Sequence, residues 1–387
     1  MDRAYLWVGS NALYFHMVLI GTIEVHFREW FAAHQADFSR IMILTDAHVQ
    51  QHCLPLFMEK SGLPPETPVL QMPAGEAHKT LQTAGWVWEK MLEARLDKKA
   101  LLINLGGGVV SDLGGFSAAL WKRGMRFVNV PTTLLSMVDA AIGGKTGVDM
   151  HYVKNIIGAF HNPLAVFVDP DFLKTLPLHE KRSGFGEMIK HAFIASDTLL
   201  IKAMHEAAGS FLPFDVANLS NSISVKTDVV AADPLESKGL RQLLNFGHTF
   251  GHAFESCLME SGRPVSHGEA VVAGMLCEAF VGYKKGSIPA DHLTRLHAIC
   301  TAQNLYPQLP LQMEDADQLW HLMQQDKKNE NGEVLVCFPD VVYRYPKAEE
   351  QPNFFPPLYA SVDRELMEAA LHFYFECYTP DFSGRAL

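Results

Sequence analysis

Over the first half of the chain, short apolar runs alternate with amphipathic segments. Ile41-Met42-Ile43-Leu44, Leu101-Leu102-Ile103-Asn104-Leu105, Phe127-Val128-Asn129-Val130 and Leu164-Ala165-Val166-Phe167-Val168 are four such runs. They are nearly continuous in apolar character rather than alternating, which predicts strands buried on both faces of a parallel sheet. After Leu176-Pro177 the texture changes to long helical periodicities, so a domain boundary is expected near residue 180. Residues 1–180 then form an α/β domain with a parallel sheet, and 181–387 a mostly α-helical domain. Asn331-Gly332 predicts a hairpin-like turn, 346–357 a surface connection, and Ser361 onward a last helix packing Leu366, Ala370 and Phe373 on one side.

One stretch has an unusual polar pattern. Arg241, Asn245, His248, His252 and Glu255 recur at steps of four, three, four and three, the spacing of one helix face. Leu243, Leu244, Phe246, Phe250 and Phe254 fill the remaining positions, so a single helix over 241–255 is expected to be largely buried. Burying such a stripe is costly unless something binds there. Gly247 and Gly251 each cost about 1 kcal/mol relative to Ala inside a helix. Their spacing predicts close approach by a ligand or by another backbone.

Composition narrows the classes. At 387 residues, 48% hydrophobic and 19% charged, the chain matches an ordinary globular protein with room for two cores. A formal charge of −11, from 32 Lys and Arg against 43 Asp and Glu, argues against general nucleic-acid affinity. No apolar run reaches the roughly 18 residues that a membrane span needs, and no signal-peptide pattern opens the chain. Cys53, Cys257, Cys277, Cys300, Cys337 and Cys377 are scattered without a CxxC pair. Neither a disulfide framework nor a thiolate zinc site is indicated, and a cytoplasmic location is expected.

The chemistry-bearing motifs lie at the ends of these elements. The strand 101–105 runs into Gly106-Gly107-Gly108-Val109-Val110-Ser111-Asp112, an order that lets backbone N–H groups and a helix N-terminus hold a phosphate. GxGxxG is not met, because position 111 is Ser. Gly144-Lys145-Thr146 is not a P-loop, since Asp139 stands where its leading Gly belongs. In the second half Glu187 with two of His248, His252 and His267 would offer two imidazoles and a carboxylate, a common catalytic zinc set. Which histidine stays off the metal is left open by the spacing. Thr249 follows His248, so the HExxH protease motif is absent. Arg123, Lys145, Lys154, Lys190, Lys226, Arg241, Lys327 and Lys328 exceed what a metal site needs. Were several to converge, they would suit a substrate with both carboxylate and phosphate groups.

Taken together, these residues resemble the dehydroquinate synthase family of sugar phosphate cyclases over nearly the whole chain. GGGVVSDLGGF (106–116), RGMRFVNVPTTLLSMVDAAIGGKTGVD (123–149), KNIIGAF (154–160), GEMIK (186–190), LRQLLNFGHTFGHAFE (240–255), HGEAVVAGM (267–275) and DKKN (326–329) carry the resemblance. It implies an N-terminal NAD-binding α/β domain, a C-terminal metal-binding helical domain and a homodimer. Glu187, His248 and His267 would ligate Zn2+ or Co2+. Asp46, Glu76, Lys79, Gly107, Gly108, Val109, Asp112, Thr132, Thr133, Asp139, Lys145 and Lys154 would hold NAD. Lys145, Lys154, Asn155, Lys190, Lys226, Arg241, Asn245, His252 and one of Lys327 and Lys328 would bind substrate, with Arg123 reaching the partner subunit's site. The implied reaction converts 3-deoxy-D-arabino-heptulosonate 7-phosphate to 3-dehydroquinate and phosphate in the shikimate pathway. Competing expectations are a related cyclase using sedoheptulose 7-phosphate or an amino analogue, and a metal-dependent polyol dehydrogenase. Asp149 stands where Asn is frequent in the family, and the gap from Lys226 to Arg241 is one residue longer.

Overall fold

The computed structural model describes residues 4–8, 16–150, 153–195, 211, 213–301, 306–325, 329, 333–342 and 354–379. The chain divides into two compact units, residues 1–181 with 214–235, and residues 182–213 with 236–387. Among the described residues no helix is long and apolar enough to cross a membrane.

The first unit is built on β1 (Ala4–Val8), β2 (His16–Ile20), β3 (Ile41–Asp46), β4 (Val69–Met72), β5 (Leu101–Gly106), β6 (Arg126–Pro131), β7 (Lys145–Met150), β8 (Val153–Phe160) and β9 (Ala165–Val168). Seven of these form one sheet in the order β1-β2-β9-β6-β5-β3-β4. Only β1 runs against its neighbour; the other six strands are parallel. Each apolar run read from the sequence is one of these strands, and β5 is buried along its full length. Asn104, its one polar residue, donates to Asn129 Oδ1 at 3.0 Å, and Asn129 donates to the Ala141 carbonyl at 3.0 Å. The chain of two bonds partners both amide nitrogens and the Asn129 oxygen inside the sheet, while Asn104 Oδ1 is buried without a hydrogen bond.

Helices cover both faces of the sheet. On one side α1 (Ile23–His34) packs Phe27 edge-on against Phe57 and Phe167, with ring centroids 5.0 and 5.1 Å apart. On the other, Leu44, Met72, Val87, Met91, Leu102, Leu113 and Phe116 form a continuous apolar core. The strands β7 and β8 form a separate antiparallel hairpin. The helix Val216–Ala232, which carries Lys226, completes this unit.

The second unit is mainly helical, with one small sheet of β10 (Val334–Pro339) against β11 (Pro357–Val362). Two helices dominate it, His248–Glu260 and His267–Lys284. The second is buried continuously from Ala270 to Gly282. The expected final helix begins at Arg364 rather than Ser361, because Ser361 lies in β11 and Asp363 caps the helix by accepting from the Leu366 N–H. Ala370 and Phe373 are buried there, while Leu366 is half-buried. Asn331-Gly332 and most of 346–357 lie outside the described residues.

The expected single helix over 241–255 is broken. Leu240–Asn245 is a tight 3-10 turn, Phe246 leaves helical geometry, and Gly247 takes a φ of +83° before the α-helix starts at His248. The polar stripe therefore spans two elements. The physical reason is the neighbouring His267 helix. A Cβ on Gly247 would stand 2.5 Å from Met275 Cγ and 2.7 Å from the Val271 carbonyl oxygen, and one on Gly251 would stand 3.1 Å from the Ala270 carbonyl. The close approach expected at these glycines is thus made by backbone. Gly274 completes the contact, since its Cβ would lie 2.7 Å from the Gly251 nitrogen and against the Gly247 carbonyl.

Gly274→Ala gains helix propensity of about 1 kcal/mol but drives a methyl into backbone that cannot rotate away. Its expected net cost is about 1–3 kcal/mol, read as a lower urea midpoint at unchanged slope. An unchanged or higher midpoint would show that the two helices separate without penalty.

Candidate active site

The second unit gathers a metal-binding donor set. Glu187 and Lys190 lie one turn apart on the helix Leu178–Ile194, and both are buried, at 0% and 1% exposure. They are therefore not the solvated surface pair that such spacing usually produces. Lys190 is in direct ionic contact with Glu187 Oε2, yet no hydrogen bond reaches either Glu187 oxygen. His248 Nε2 and His267 Nε2 stand 3.8 and 3.9 Å from Glu187 Oε1. One donor atom from each of the three residues lies within 4.8 Å of the others.

Local structure aims both rings. His248 is the first residue of its helix, and its Nδ1 faces the Phe246 carbonyl at 3.3 Å. His267 opens the next helix behind the Ser266 cap, in which Ser266 Oγ accepts from Glu269 N and Glu269 Oε2 accepts from Ser266 N. Its Nδ1 faces Glu255 Oε2 at 3.3 Å. An oxygen at Nδ1 selects Nε2 as the coordinating nitrogen. Bonds of about 2.0–2.2 Å in a tetrahedron put ligand atoms about 3.4 Å apart, and the two separations from Glu187 Oε1, 3.8 and 3.9 Å, are close to that. A buried carboxylate lacking hydrogen bonds, together with two imidazoles, fits a divalent cation such as Zn2+. Among the cysteines, all six are free and buried, and burial pushes Cys53 up to about 11.

Other expected residues gather around this set. The His252 ring stands beside those of His248 and His267, with centroids 5.3 and 5.8 Å away. Arg241 is buried and Asn245 half-buried on the 3-10 turn that precedes Gly247. Lys327 and Lys328 lie outside the described residues.

The first unit supplies a different kind of site. After β5 the chain turns at Gly107, and α5 (Gly108–Leu120) starts with no side-chain cap. The Thr132 N–H donates to the Gly106 carbonyl, which brings Thr132 and Thr133 beside the turn. A Cβ on Gly107 would stand 3.0 Å from Thr133 Cγ2, and one on Gly108 3.3 Å from Ala140. The shallow cradle of backbone N–H groups exists because side chains are missing there, and it fits a dinucleotide's pyrophosphate. Asp46 ends β3, as expected, and its Oδ1 accepts from the His48 and Val49 N–H groups. Val109 is half-buried on the first turn of α5.

Lys79 ties these pieces together. Its buried ammonium meets Asp112 Oδ2 at 2.6 Å and donates to Asn155 Oδ1 at 2.6 Å, with Glu76 3.9 Å away. Asn155 has a φ of +52°, and its N–H donates to Asp149 Oδ1 at 2.7 Å. Burial works against the Lys79 charge, but Asp112 and Glu76 outweigh it and hold its pKa above the ordinary lysine value. Lys145 and Lys154 are exposed on the β7–β8 hairpin. Lys226 donates to the Asp139 carbonyl at 2.6 Å and meets its carboxylate at 2.5 Å. Arg123 is elsewhere: it precedes the interior strand β6, at the end of the sheet opposite the glycine turn, about 20 Å away at 3.3 Å per strand residue. There, with Lys98, Lys99, Arg126 and His161, it lines a cavity of about 490 Å3.

Two residues were not picked out from the sequence in the roles they hold. Glu255 was placed on the polar stripe but not recognised as the His267 partner. Glu278 is fully buried, and its carboxylate accepts from the backbone N–H groups of Gly247, Thr249 and Phe250. Its one visible signal is that it is the sole charged residue from Ala270 to Val281.

Comparison with known proteins bears on the family and the fold. Residues 69–183 match the family described as 3-dehydroquinate synthase N-terminal, and 184–329 the family described as 3-dehydroquinate synthase C-terminal. The 3-dehydroquinate synthase of Parabacteroides distasonis is 39% identical over 304 residues, covering 76% of this chain and 83% of that protein. That of Rippkaea orientalis is 41% identical over 292 residues, covering 73% and 77%. Among solved structures, 2-deoxy-scyllo-inosose synthase complexed with carbaglucose-6-phosphate, NAD+ and Co2+ superposes with a TM-score of 0.78 at 20% identity, covering 95% of this chain and 99% of that one. The 2-epi-5-epi-valiolone synthase of Streptomyces hygroscopicus subsp. jinggangensis, with NAD+ and Zn2+ bound, gives 0.76 at 24% identity, covering 93% and 97%. At these identities the structural matches establish the fold.

The Lys79 network has a pH signature. Because its folded-state pKa is raised, its contribution is complete below the unfolded value of about 10.4 and is lost as pH rises through the folded value. Lys79→Met should lower the unfolding free energy by on the order of 2 kcal/mol at neutral pH. In urea titrations that gap should narrow only above about pH 10.4. A gap independent of pH throughout would show that the ammonium's charge contributes nothing.

Proposed function

Because the chain belongs to the 3-dehydroquinate synthase family, we propose that it converts 3-deoxy-D-arabino-heptulosonate 7-phosphate to 3-dehydroquinate and inorganic phosphate, with NAD reduced and re-oxidised within each turnover. The observation that carries this reading is the buried Glu187 carboxylate, without a hydrogen bond at either oxygen, facing two imidazole Nε2 atoms. In this reading the first unit, 1–181 with 214–235 rather than the contiguous 1–180, is the NAD-binding domain, and the second, 182–213 with 236–387, is the metal-binding domain. Glu187, His248 and His267 hold Zn2+ or Co2+, and Asp46, Gly107, Gly108, Val109, Thr132 and Thr133 hold NAD. The bound cation lowers the pKa of a coordinated hydroxyl, and NAD takes and returns a hydride.

The chain's own residues supply grip and orientation. As the family resemblance implies, Lys145, Lys154, Asn155, Lys190, Lys226, Arg241, Asn245 and His252 hold the substrate's carboxylate, hydroxyl and phosphate groups. Guanidinium binds carboxylate in a planar fork, whereas ammonium acts as a point charge on phosphate. Fixing both ends keeps a flexible sugar in one geometry through elimination and ring closure. His252, exposed beside the metal ligands, is suited to move a proton at the substrate's hydroxyl. The protein is cytoplasmic in this reading and works as a homodimer, with Arg123 serving the partner's site; its place at the end of the sheet away from the glycine turn supports that role.

Two experiments test the proposal. Phosphate release from 3-deoxy-D-arabino-heptulosonate 7-phosphate, with 3-dehydroquinate as product and no net NADH, is expected; turnover confined to sedoheptulose 7-phosphate, which lacks the carboxylate, would assign a different cyclase. His248→Ala should lose bound zinc and at least 100-fold in turnover, an order of magnitude typical of lost metal catalysis, while NAD still binds. For the dimer, Arg123→Ala and His248→Ala should each be inactive alone. Mixed subunits restore one intact site per heterodimer, so up to about a quarter of wild-type activity should return at random pairing. No recovery from verified heterodimers would place Arg123 outside the partner's site.

A further inference from the structure

We propose that Glu278 is a positioning residue for the metal centre: a carboxylate on the helix of one ligand that caps, and thereby aims, the helix of another. This rests on the metal reading of Glu187, His248 and His267. The His248 helix begins behind Gly247, which has no side chain with which to cap it and sits at φ +83°. Helix starts leave backbone N–H groups without intrahelical partners, normally met by a Ser, Thr, Asp or Asn at the cap. Here the acceptor comes from another helix. Glu278 Oε2 takes the Gly247 N–H at 2.7 Å, and Oε1 takes those of Thr249 at 2.9 Å and Phe250 at 3.3 Å. The amides on either side of His248 are thus fixed by the two oxygens of one carboxylate, fully buried at 0% exposure.

Position along the helix makes this a device for the site rather than a packing detail. His267, Val271, Gly274 and Glu278 follow one another at steps of four, three and four, so they share one face of the His267–Lys284 helix. Val271 and Gly274 on that face meet Gly247 and Gly251 by backbone approach. The same stripe therefore bears one metal ligand at its start and, three turns on, the cap that holds the other. Gly247 is free of a Cβ and can reach many backbone conformations; without the carboxylate, nothing on its own side chain would hold His248 at its 3.8 Å separation from Glu187. A glutamine in place of Glu278 keeps the volume but presents one acceptor oxygen and an amide that points hydrogens at backbone N–H groups.

The experiment measures metal affinity rather than turnover. Full-length wild type, Glu278→Gln and Cys277→Ala are titrated with Zn2+ against a chromophoric chelator, and Co2+ spectra are recorded for each. Cys277 lies on the same helix but faces the Ala370 carbonyl, so its variant perturbs stability without touching the cap. Glu278→Gln is expected to weaken Zn2+ binding by 10- to 100-fold, the usual effect of losing an orienting partner, and to alter the Co2+ spectrum. Cys277→Ala should stay within twofold of wild type. Zn2+ affinity of Glu278→Gln within twofold of wild type would overturn the proposal, as would equal weakening by both variants. Glu278→Asp, which keeps the charge but shortens the reach, serves under the same tenfold criterion where Glu278→Gln does not fold. Failure of the metal reading itself shows separately, as wild type and His248→Ala binding Zn2+ equally.

Discussion

A carboxylate removed from water without hydrogen bonds costs several kcal/mol unless a positive charge replaces the solvent. Glu187 is in that position, and the arrangement around it follows from the need to offset it. Lys190 supplies one countercharge in ionic contact with Oε2. Two imidazole Nε2 atoms face the other oxygen at 3.8 and 3.9 Å, an arrangement that a cation lying between them would stabilise. Lys190 alone leaves Oε1 without a hydrogen bond in this buried cluster. With a cation, desolvation strengthens every electrostatic term at the centre.

Precision at such a centre depends on helices that cannot slide. The His248 and His267 helices meet through Gly247, Gly251 and Gly274, where backbone touches backbone. Close packing of this kind has few soft degrees of freedom. In the first unit the same purpose is met by hydrogen bonds and charge. Lys79 links α5, which carries Asp112, to the hairpin that carries Asn155, and Asp149 holds Asn155 in a backbone conformation seldom used by non-glycine residues.

Much of this was legible in the sequence. Parallel strands were visible because apolar runs such as Leu101–Leu105 need both faces buried, and the glycine turn because it follows such a run directly. The donor set could be narrowed to Glu187 and three histidines by residue type alone. The break at Phe246-Gly247 was not visible: the polar spacing at 241–255 fits a continuous helix, and the departure arises from Val271 and Met275 on a neighbouring element. Glu278 was hidden for a related reason. Its partners are backbone N–H groups about 30 positions upstream, which leave no trace in side-chain pattern. Glu187 and Lys190 at i and i+3 look like an exposed pair, and only tertiary burial makes them otherwise.

The path of the chain through its two units carries a consequence for how the molecule is made. Residues 214–235 belong with 1–181, although 182–213 lie between them in sequence and belong with the remainder. A ribosome emits residues in order, so the sheet waits for its last covering helix until the polypeptide has passed Leu235. By then the start of the second unit, including Glu187 and Lys190, has already emerged without the two helices that bear His248 and His267. Co-translational assembly therefore cannot proceed as one finished module followed by another. Glu187 and Lys190 spend that interval without the neighbours that later bury them, a window in which a nascent chain is open to misfolding and to chaperone capture.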